Sequence, residues 1–334
     1  QPGETIYLMN GTHNTEIDAG GGYDDCVARF RFYDGSSGSW FRIAAYPGHS
    51  PVIDGLGSNQ GIHILSCSYW EIEGVEVKNC YSRGINLGGL NNGKIHDVHV
   101  HDTDGDSRNN VCALQLNGCI NVEVYDSAFG DTIDSQCELY GTCWRGCPGI
   151  FIFASTSGGN ISVHDCEFYR TPSVTYETGG ISYKHASQVP SAYFDVYNNT
   201  FTNCVNAFAS GTANTHFHHN LVDGGEGIRS VDLGGTTHQT NQTFEYNTLY
   251  NSGGFTFSPT QNYVNEDFPD DPSNINFNNN IIYNTDTRKI ELNRYMTDVL
   301  YYIVVDEYHS NYNCYYNPNL TPHEFIFASS WNDQ

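Results

Sequence analysis

Residues 179–235 gather the side chains best suited to proton-transfer chemistry. They hold Lys184, one of four lysines in a chain of 334 residues, and Arg229, one of ten arginines. His185 directly follows the lysine, Asp232 lies three positions past the arginine, and Glu177 precedes the stretch. A lysine near a second cation titrates lower than usual, which makes its neutral amine available as a general base. In that role Lys184 takes a proton, Arg229 holds an anionic group, and His185 assists as an acid or contacts the substrate. The same stretch also allows a carboxylate mechanism. Two carboxyls roughly 5 to 10 Å apart can share acid and base roles, and Asp232 with Glu177 is the best-placed pair, Asp223 and Glu226 lying nearby. The bland alternative is a surface lysine paired with Glu177 or Glu226.

Short strands of alternating pattern carry these residues. One strand type starts after Gly, as in GIHILSC at Gly61, GINLGG at Gly84, GIFIFAS at Gly149, GISYKHA at Gly180 and GIRSVDL at Gly227. A second type reads V/I/F-x-V/F-x-N/D-x-x-F/V, as in FDVYNNTFTNC, THFHHNLVDGG and INFNNNIIYNT. Members recur at intervals of roughly 22 to 32 residues, which predicts the coils of a right-handed parallel β-helix, an all-β solenoid. A propeller or sandwich would show paired strands with Asn-Gly or Asp-Gly hairpin turns instead. Asn199, Asn220, Asn247 and Asn280 stand at the bends, where Asn tolerates left-handed backbone and can stack in a hydrogen-bonded ladder. One domain is expected: residues 1–60 as opening coils, 61–283 as regular coils and 284–334 as an irregular C-terminal cap and tail, since solenoid ends must be covered.

Alternation divides each Gly-started strand into inward and outward positions. Ile181 and Tyr183 point in, leaving Ser182 and Lys184 out; Ile228 and Ser230 point in, leaving Arg229 out. The same register predicts an exposed stripe of His63, Asn86, Gln115, Phe151, Ser182 with Lys184, Phe208 with Ser210, Arg229 and Thr256. Polar side chains with two aromatics on one face suit a sugar, because aromatic faces stack on sugar rings; an open sheet must also be polar somewhere. Ser182, Gln115, Asn86, Phe151, Phe208 and His216 are the expected substrate contacts. Arg229 lies two rungs from Lys184, roughly 10 Å away, enough to bracket one sugar.

Composition narrows the partners. There are 34 Gly, 24 Tyr and only 2 Met, and Leu, Ala, Lys and Glu are sparse, as expected of a turn-rich β protein. The net charge is −24, which argues against nucleic acid, whose phosphates need a basic stripe. No run of about 18 apolar residues marks a membrane span. The chain opens QPGETIYL; a secreted, extracellular protein whose signal peptide has been cleaved is expected, as is a monomer. Eleven cysteines cannot all pair within one chain. Cys137, Cys143 and Cys147 share one loop, with Cys112, Cys119 and Cys166 beside it. Their spacing is not that of a zinc knuckle, so disulfides are expected there, and buried thiols at Cys67, Cys80 and Cys204. In THFHHN, alternation puts His216 and His218 on one face and His219 on the other, so the three cannot share one ion. His96, His99 and His101 read as a solvated strand. Asp102, Asp104 and Asp106 have the D-x-D-x-D spacing of a calcium loop but lack its closing Glu: the twelfth position is Ala113. Ca²⁺ is the one cofactor expected, with a solvated turn as the alternative.

The stretches GETIYLMNGTHN and IAAYPGHSPVIDG, the SYWEIEGVEVKNC coil, the NNTF and NNNIIY bends and the NYNCYYNPN tail resemble secreted right-handed parallel β-helix carbohydrate-active enzymes. That group includes polysaccharide lyases such as pectate lyase, chondroitinase B and alginate lyase, and hydrolases such as polygalacturonase, iota-carrageenase and some fucanases. The resemblance implies an enzyme acting on an anionic polysaccharide. Lyases of this group abstract a proton α to a uronate carboxylate with a Lys or Arg base, while a second cation or Ca²⁺ neutralises the carboxylate, and the GISYKH rung resembles their lysine-bearing rung. β-Elimination is therefore the first expectation. A hydrolase of sulfated polysaccharide using Asp232 and Glu177 is the second, and a non-catalytic sugar-binding β-helix the third.

Overall fold

The computed structural model describes residues 2–15, 25–57, 60–105, 111–133, 147–153, 159–171, 178–184, 193–210, 214–231, 240–258, 273–283 and 308–316. Glu177, His185, Asp232, Asp106, Cys137 and Cys143 lie outside them. The described residues form strands and turns without a helix, gathered into three sheets that run the length of a right-handed parallel β-helix. Sheet A has eleven strands, from Thr5–Leu8 to Tyr308–Asn311. Sheet B has eleven, from Gly11–His13 to Cys314–Tyr316, and sheet C has nine, from Cys26–Arg31 to Phe255–Ser258. Each strand pairs in parallel with the equivalent strand of the next coil.

Alternation stacks like side chains inside. In sheet C the inward column runs Ile62, Ile85, Leu114, Ile150, Ile181, Phe208, Ile228 and Phe255, and all are buried in one core. Towards the C-terminal end the core becomes aromatic: Phe168 stacks on Phe201 at 4.7 Å and Phe255 on Phe277 at 4.5 Å. Gly opens the sheet C strands because the chain passes close to its neighbours there. A Cβ at Gly84 would press on Val100 and the Ala113 carbonyl, and one at Gly180 on the Ala207 carbonyl and the Phe201 ring.

The bend between sheets A and B is a two-residue device. Its first residue adopts left-handed backbone: Asp97, Asp126, Asp165, Asn198, His219, Tyr246, Asn279 and Tyr312 have φ between 48° and 57°. Its second residue turns inward, and in the later coils it is Asn199, Asn220, Asn247, Asn280 and Asn313. The predicted ladder is present, with successive Nδ2 to Oδ1 distances of 3.0, 3.1, 3.0 and 3.0 Å. The ladder asparagines do not themselves occupy the left-handed conformation; the preceding residue does, and so aims the amide into the core.

Three expectations are corrected. The regular repeat extends into the predicted cap, where Tyr308–Asn311 and Cys314–Tyr316 add a further coil to sheets A and B. Phe208 is not an outward residue: it is fully buried and packs on Phe194 and Phe217, because register aligns it with Ile181 and Ile228, and Ser210 is buried with it. Cys112, Cys119 and Cys166 are unpaired buried thiols, as Cys67, Cys80 and Cys204 were expected to be, and Cys147 is buried too. Burial pushes the Cys80, Cys112, Cys119, Cys166 and Cys204 thiols up to about 12, which leaves them protonated and unreactive.

Candidate active surface on the third sheet

The outer face of sheet C carries two columns of side chains. The first runs Arg29, His63, Asn86, Gln115, Phe151, Ser182, Ala209 and Arg229, with the backbone of Thr256 at the next register position. It reproduces the predicted stripe, with Ala209 where Phe208 and Ser210 were placed. Its middle is not open to solvent, however. His63, Asn86, Gln115 and Phe151 are all buried, at 3%, 8%, 6% and 5% exposure. Asn86 spends its amide on Gln60, donating to Oε1 at 3.0 Å. Asn86, Gln115 and Phe151 are therefore buried rather than the exposed stripe that alternation predicts. Alternation shows which way a side chain points but not what lies over it.

The second column stands two residues further along each strand: Arg31, Leu65, Gly88, Asn117 and Phe153, with the backbone of Lys184 at the next register position. Here the surface opens. Asn117 is exposed and Phe153 has 37% of its surface exposed. Phe153 is thus the accessible aromatic, placed in register beside Lys184. The signal for it was in the sequence, as the second outward position of GIFIF.

Lys184 ends the strand Thr178–Lys184, and Arg229 lies in Ile228–Val231, two strands on. The two occupy different columns. Two strand spacings and two residues of rise separate their backbones by about 12 Å, somewhat more than the sequence implied. Arg229 is only part-exposed and already engaged: Nη1 donates to Asn206 Oδ1 at 3.3 Å and lies 3.7 Å from Glu226 Oε2. A half-exposed pair of this kind is worth at most about 1 kcal/mol, so an anion can displace Glu226 at small cost. Ser182 stands two residues before Lys184 on the same strand, two strands from Arg229 along the first column, and is part-exposed.

The remaining candidates fall elsewhere. His216 lies on the outer face of sheet A, in Thr215–His218, and cannot share a surface with Lys184. His219 does not face away from His218; its left-handed backbone brings its Nδ1 to 2.8 Å from His218 Nδ1. The expected solvated histidines are half-buried members of stacks. On sheet A, His96, Tyr125, His164, Tyr197 and His218 form one continuous pile with centroid spacings of 4.7, 5.4, 4.6 and 5.2 Å. Their carboxylate partners recur: His96 contacts Asp97 and Glu71, and His164 contacts Asp165 and Glu123. Burial pulls the His96 imidazole down, but its hydrogen bonds to Asp97 and Glu71 outweigh this and raise it above its ordinary value. On sheet B, burial first and His101 second lower the pKa of His99. Of the calcium candidates, Asp102 accepts from His101 Nδ1 at 2.7 Å and Asp104 accepts from the Gly105 amide at 2.7 Å. The two carboxylates have different partners, and Asp106 lies outside the described residues.

The architecture defines a class: right-handed parallel β-helices of the kind found in polysaccharide lyases. The chain superposes over 94% of its length on an alginate lyase from Paenibacillus sp. str. FPU-7, with TM-score 0.58, 13% identity and 93% of that chain covered. It superposes equally on a mannuronic acid specific polysaccharide family 6 lyase from human gut microbiota, with TM-score 0.56, 15% identity and 78% of that chain covered. At these identities the likeness is one of fold. In sequence, 105 residues are 35% identical to pectate lyase L of Paenibacillus polymyxa (strain SC2). That match covers 30% of this chain and only 21% of the relative's length. No family model matches the chain.

Proposed function

We propose that the protein is a polysaccharide lyase that cleaves a uronate-containing polysaccharide by β-elimination. The observation that carries this reading is the likeness, over nearly the whole chain, to two lyases named for alginate and mannuronic acid, with a local sequence match to a pectate lyase. These three substrates share a carboxylate on the carbon next to the proton that elimination removes.

The assignment of roles follows from that chemistry. The neutral amine of Lys184 takes the proton from the carbon bearing the carboxylate. Arg229, exchanging Glu226 for the substrate, stabilises the charge that develops on the carboxylate oxygens. The electron pair then forms the double bond to the adjacent ring carbon and expels the glycosidic oxygen, to which His185 delivers a proton. Lys184 ends protonated and His185 deprotonated, and solvent restores both. Phe153 supplies a face on which a sugar ring can stack, beside Lys184. Asp102, Asp104 and Asp106 are the residues that would hold Ca²⁺, which would supply a further positive charge for the substrate carboxylate. An extracellular location goes with a polymer substrate. With a net charge of −24, the protein repels a polyanion at long range, so moderate salt should speed association before it weakens the contact to Arg229.

The test is incubation with alginate, pectate and sulfated polysaccharides, with and without a chelator. Ultraviolet absorbance from an unsaturated uronate on a uronate polymer, lost by about 100-fold or more in Lys184→Ala, is the expected result. Activity surviving chelation would argue against a calcium requirement. New reducing ends without that absorbance, or full activity in Lys184→Ala, would overturn the proposal.

A further inference from the structure

The outer face of sheet A holds two clusters of metal-ligating side chains among the described residues: Glu71 with Glu73 and His96, and Asp195 with His216 and His218. In the first, Arg42 already supplies the cation, reaching Glu71 Oε2 at 2.7 Å and pairing with Glu73. In the second, Asp195 is met only by imidazoles. We propose that Asp195, His216 and His218 bind a divalent transition metal ion of the Zn²⁺ class.

Backbone register builds the set. Asp195 and His216 face each other on neighbouring parallel strands, and His218 is two residues on, hence on the same face. His218 Nε2 lies 3.1 Å and His216 Nδ1 3.5 Å from Asp195 Oδ1. Tetrahedral zinc with ligand bonds near 2.0–2.1 Å needs ligand atoms about 3.4 Å apart.

The outer nitrogens are held as metal-ligating histidines require. Glu245 Oε1, 3.0 Å from His216 Nε2, accepts that N–H and leaves Nδ1 with its lone pair towards Asp195. His218 Nδ1 lies 2.8 Å from His219 Nδ1. With His219 accepting, His218 Nε2 is free to ligate; with His219 donating, His218 Nε2–H bonds to Asp195 instead. The exchange of tautomers moves no net proton, so the site can exist loaded or empty. The Tyr193 hydroxyl, 3.2 Å from His216 Nδ1, closes the exposed side and must turn aside for the ion. Two imidazoles and one carboxylate suit Zn²⁺, Co²⁺, Ni²⁺ or Cu²⁺ rather than Ca²⁺ or Mg²⁺, which take oxygen ligands. The fourth position faces solvent.

The experiment is calorimetric titration of the chelator-treated full chain with Zn²⁺, together with the visible absorption of bound Co²⁺. The expected result is a four-coordinate Co²⁺ spectrum and one Zn²⁺ site lost in Asp195→Asn and in His218→Gln. Glu245→Gln should weaken it by 10- to 100-fold through His216, with His96→Gln unaffected. A rise in melting temperature with Zn²⁺ should appear in the wild type and vanish in Asp195→Asn, whose isosteric change preserves the fold. Zn²⁺ binding of unchanged stoichiometry and affinity in both Asp195→Asn and His218→Gln, or no binding by the wild type, would overturn the proposal.

Discussion

The asparagine ladder permits a quantitative test. Asn220 is buried, donates to the Val196 carbonyl at 3.0 Å and to Asn247 Oδ1 at 3.1 Å, and its own Oδ1 accepts from the Asn199 amide N–H and side chain, each at 3.0 Å. Asn220→Ala leaves the buried Asn199 N–H unmet and removes three further bonds whose other ends keep a partner or a second chance of one. One stranded donor plus these smaller losses amounts to about 3–5 kcal/mol. Asn220→Asp turns a carboxylate towards two acceptors, so at neutral pH it should cost more than Ala. That Asp has a folded pKa raised above its unfolded value of about 3.9, so its stabilising protonated form is lost as pH rises, and its deficit against wild type narrows as pH falls. Asn313, half-buried on the terminal described coil, lies where water can meet the groups it leaves, and Asn313→Ala should cost less. Urea unfolding followed by circular dichroism measures the differences, and hydrogen exchange at the Asn199 amide reports the local opening, since long repeat arrays need not unfold in one step. An Asn220→Ala cost below about 1 kcal/mol would refute the idea that the ladder amides are unreplaceable.

Three further outcomes are expected. The raised pKa of His96 places its stabilising charge below the unfolded value of about 6.5 and removes it as pH rises through the folded value. His96→Gln should therefore cost most near pH 6 and least in alkali by thermal denaturation; a cost that grew with pH would contradict the pairing. In the native protein an alkylating reagent should label Cys314 quickly and spare Cys80, Cys112, Cys119, Cys166 and Cys204 until unfolding, as read by peptide mass spectrometry. Phe153→Ala should raise KM on polymer by roughly 5- to 30-fold, the loss of about 1–2 kcal/mol of apolar contact between the ring face and a sugar, with thermal stability nearly unchanged because the ring is part-exposed. An unchanged KM would remove the second column from the binding surface.

Much of the solenoid is legible in the residues because its physics is local. Period-two alternation places Ile181 and Tyr183 inside, and the recurrence of Asn at each bend announces a stack that only parallel coils can make. The misreadings occurred where position along the chain gave no view of the neighbouring coil. Phe208 stands one position out of the register that the sequence suggests, because FAS is too short to show its own phase without the Ile181 and Ile228 on either side. Asn86 and Gln115 looked like contacts because they are polar, yet Gln60 shows that one buried amide can be satisfied by another. His216 and Lys184 are near in sequence, yet more than a full coil of chain separates them and they stand on different sheets.

The sequence alone therefore determined the strand period, the parallel coil, and the identity of the sparse cations at 184 and 229, since each follows from residue type and spacing. Tertiary structure decided what those residues can reach. Parallel register, not sequence distance, chose which column position each cation occupies, and packing buried the stretch of the first column from His63 to Phe151 while leaving Ser182 and Arg229 part-exposed. The same register set Asp195 against His216, residues 21 positions apart. Strand pairing brings together residues a coil apart, and their separation carries no trace of the meeting until the register is known.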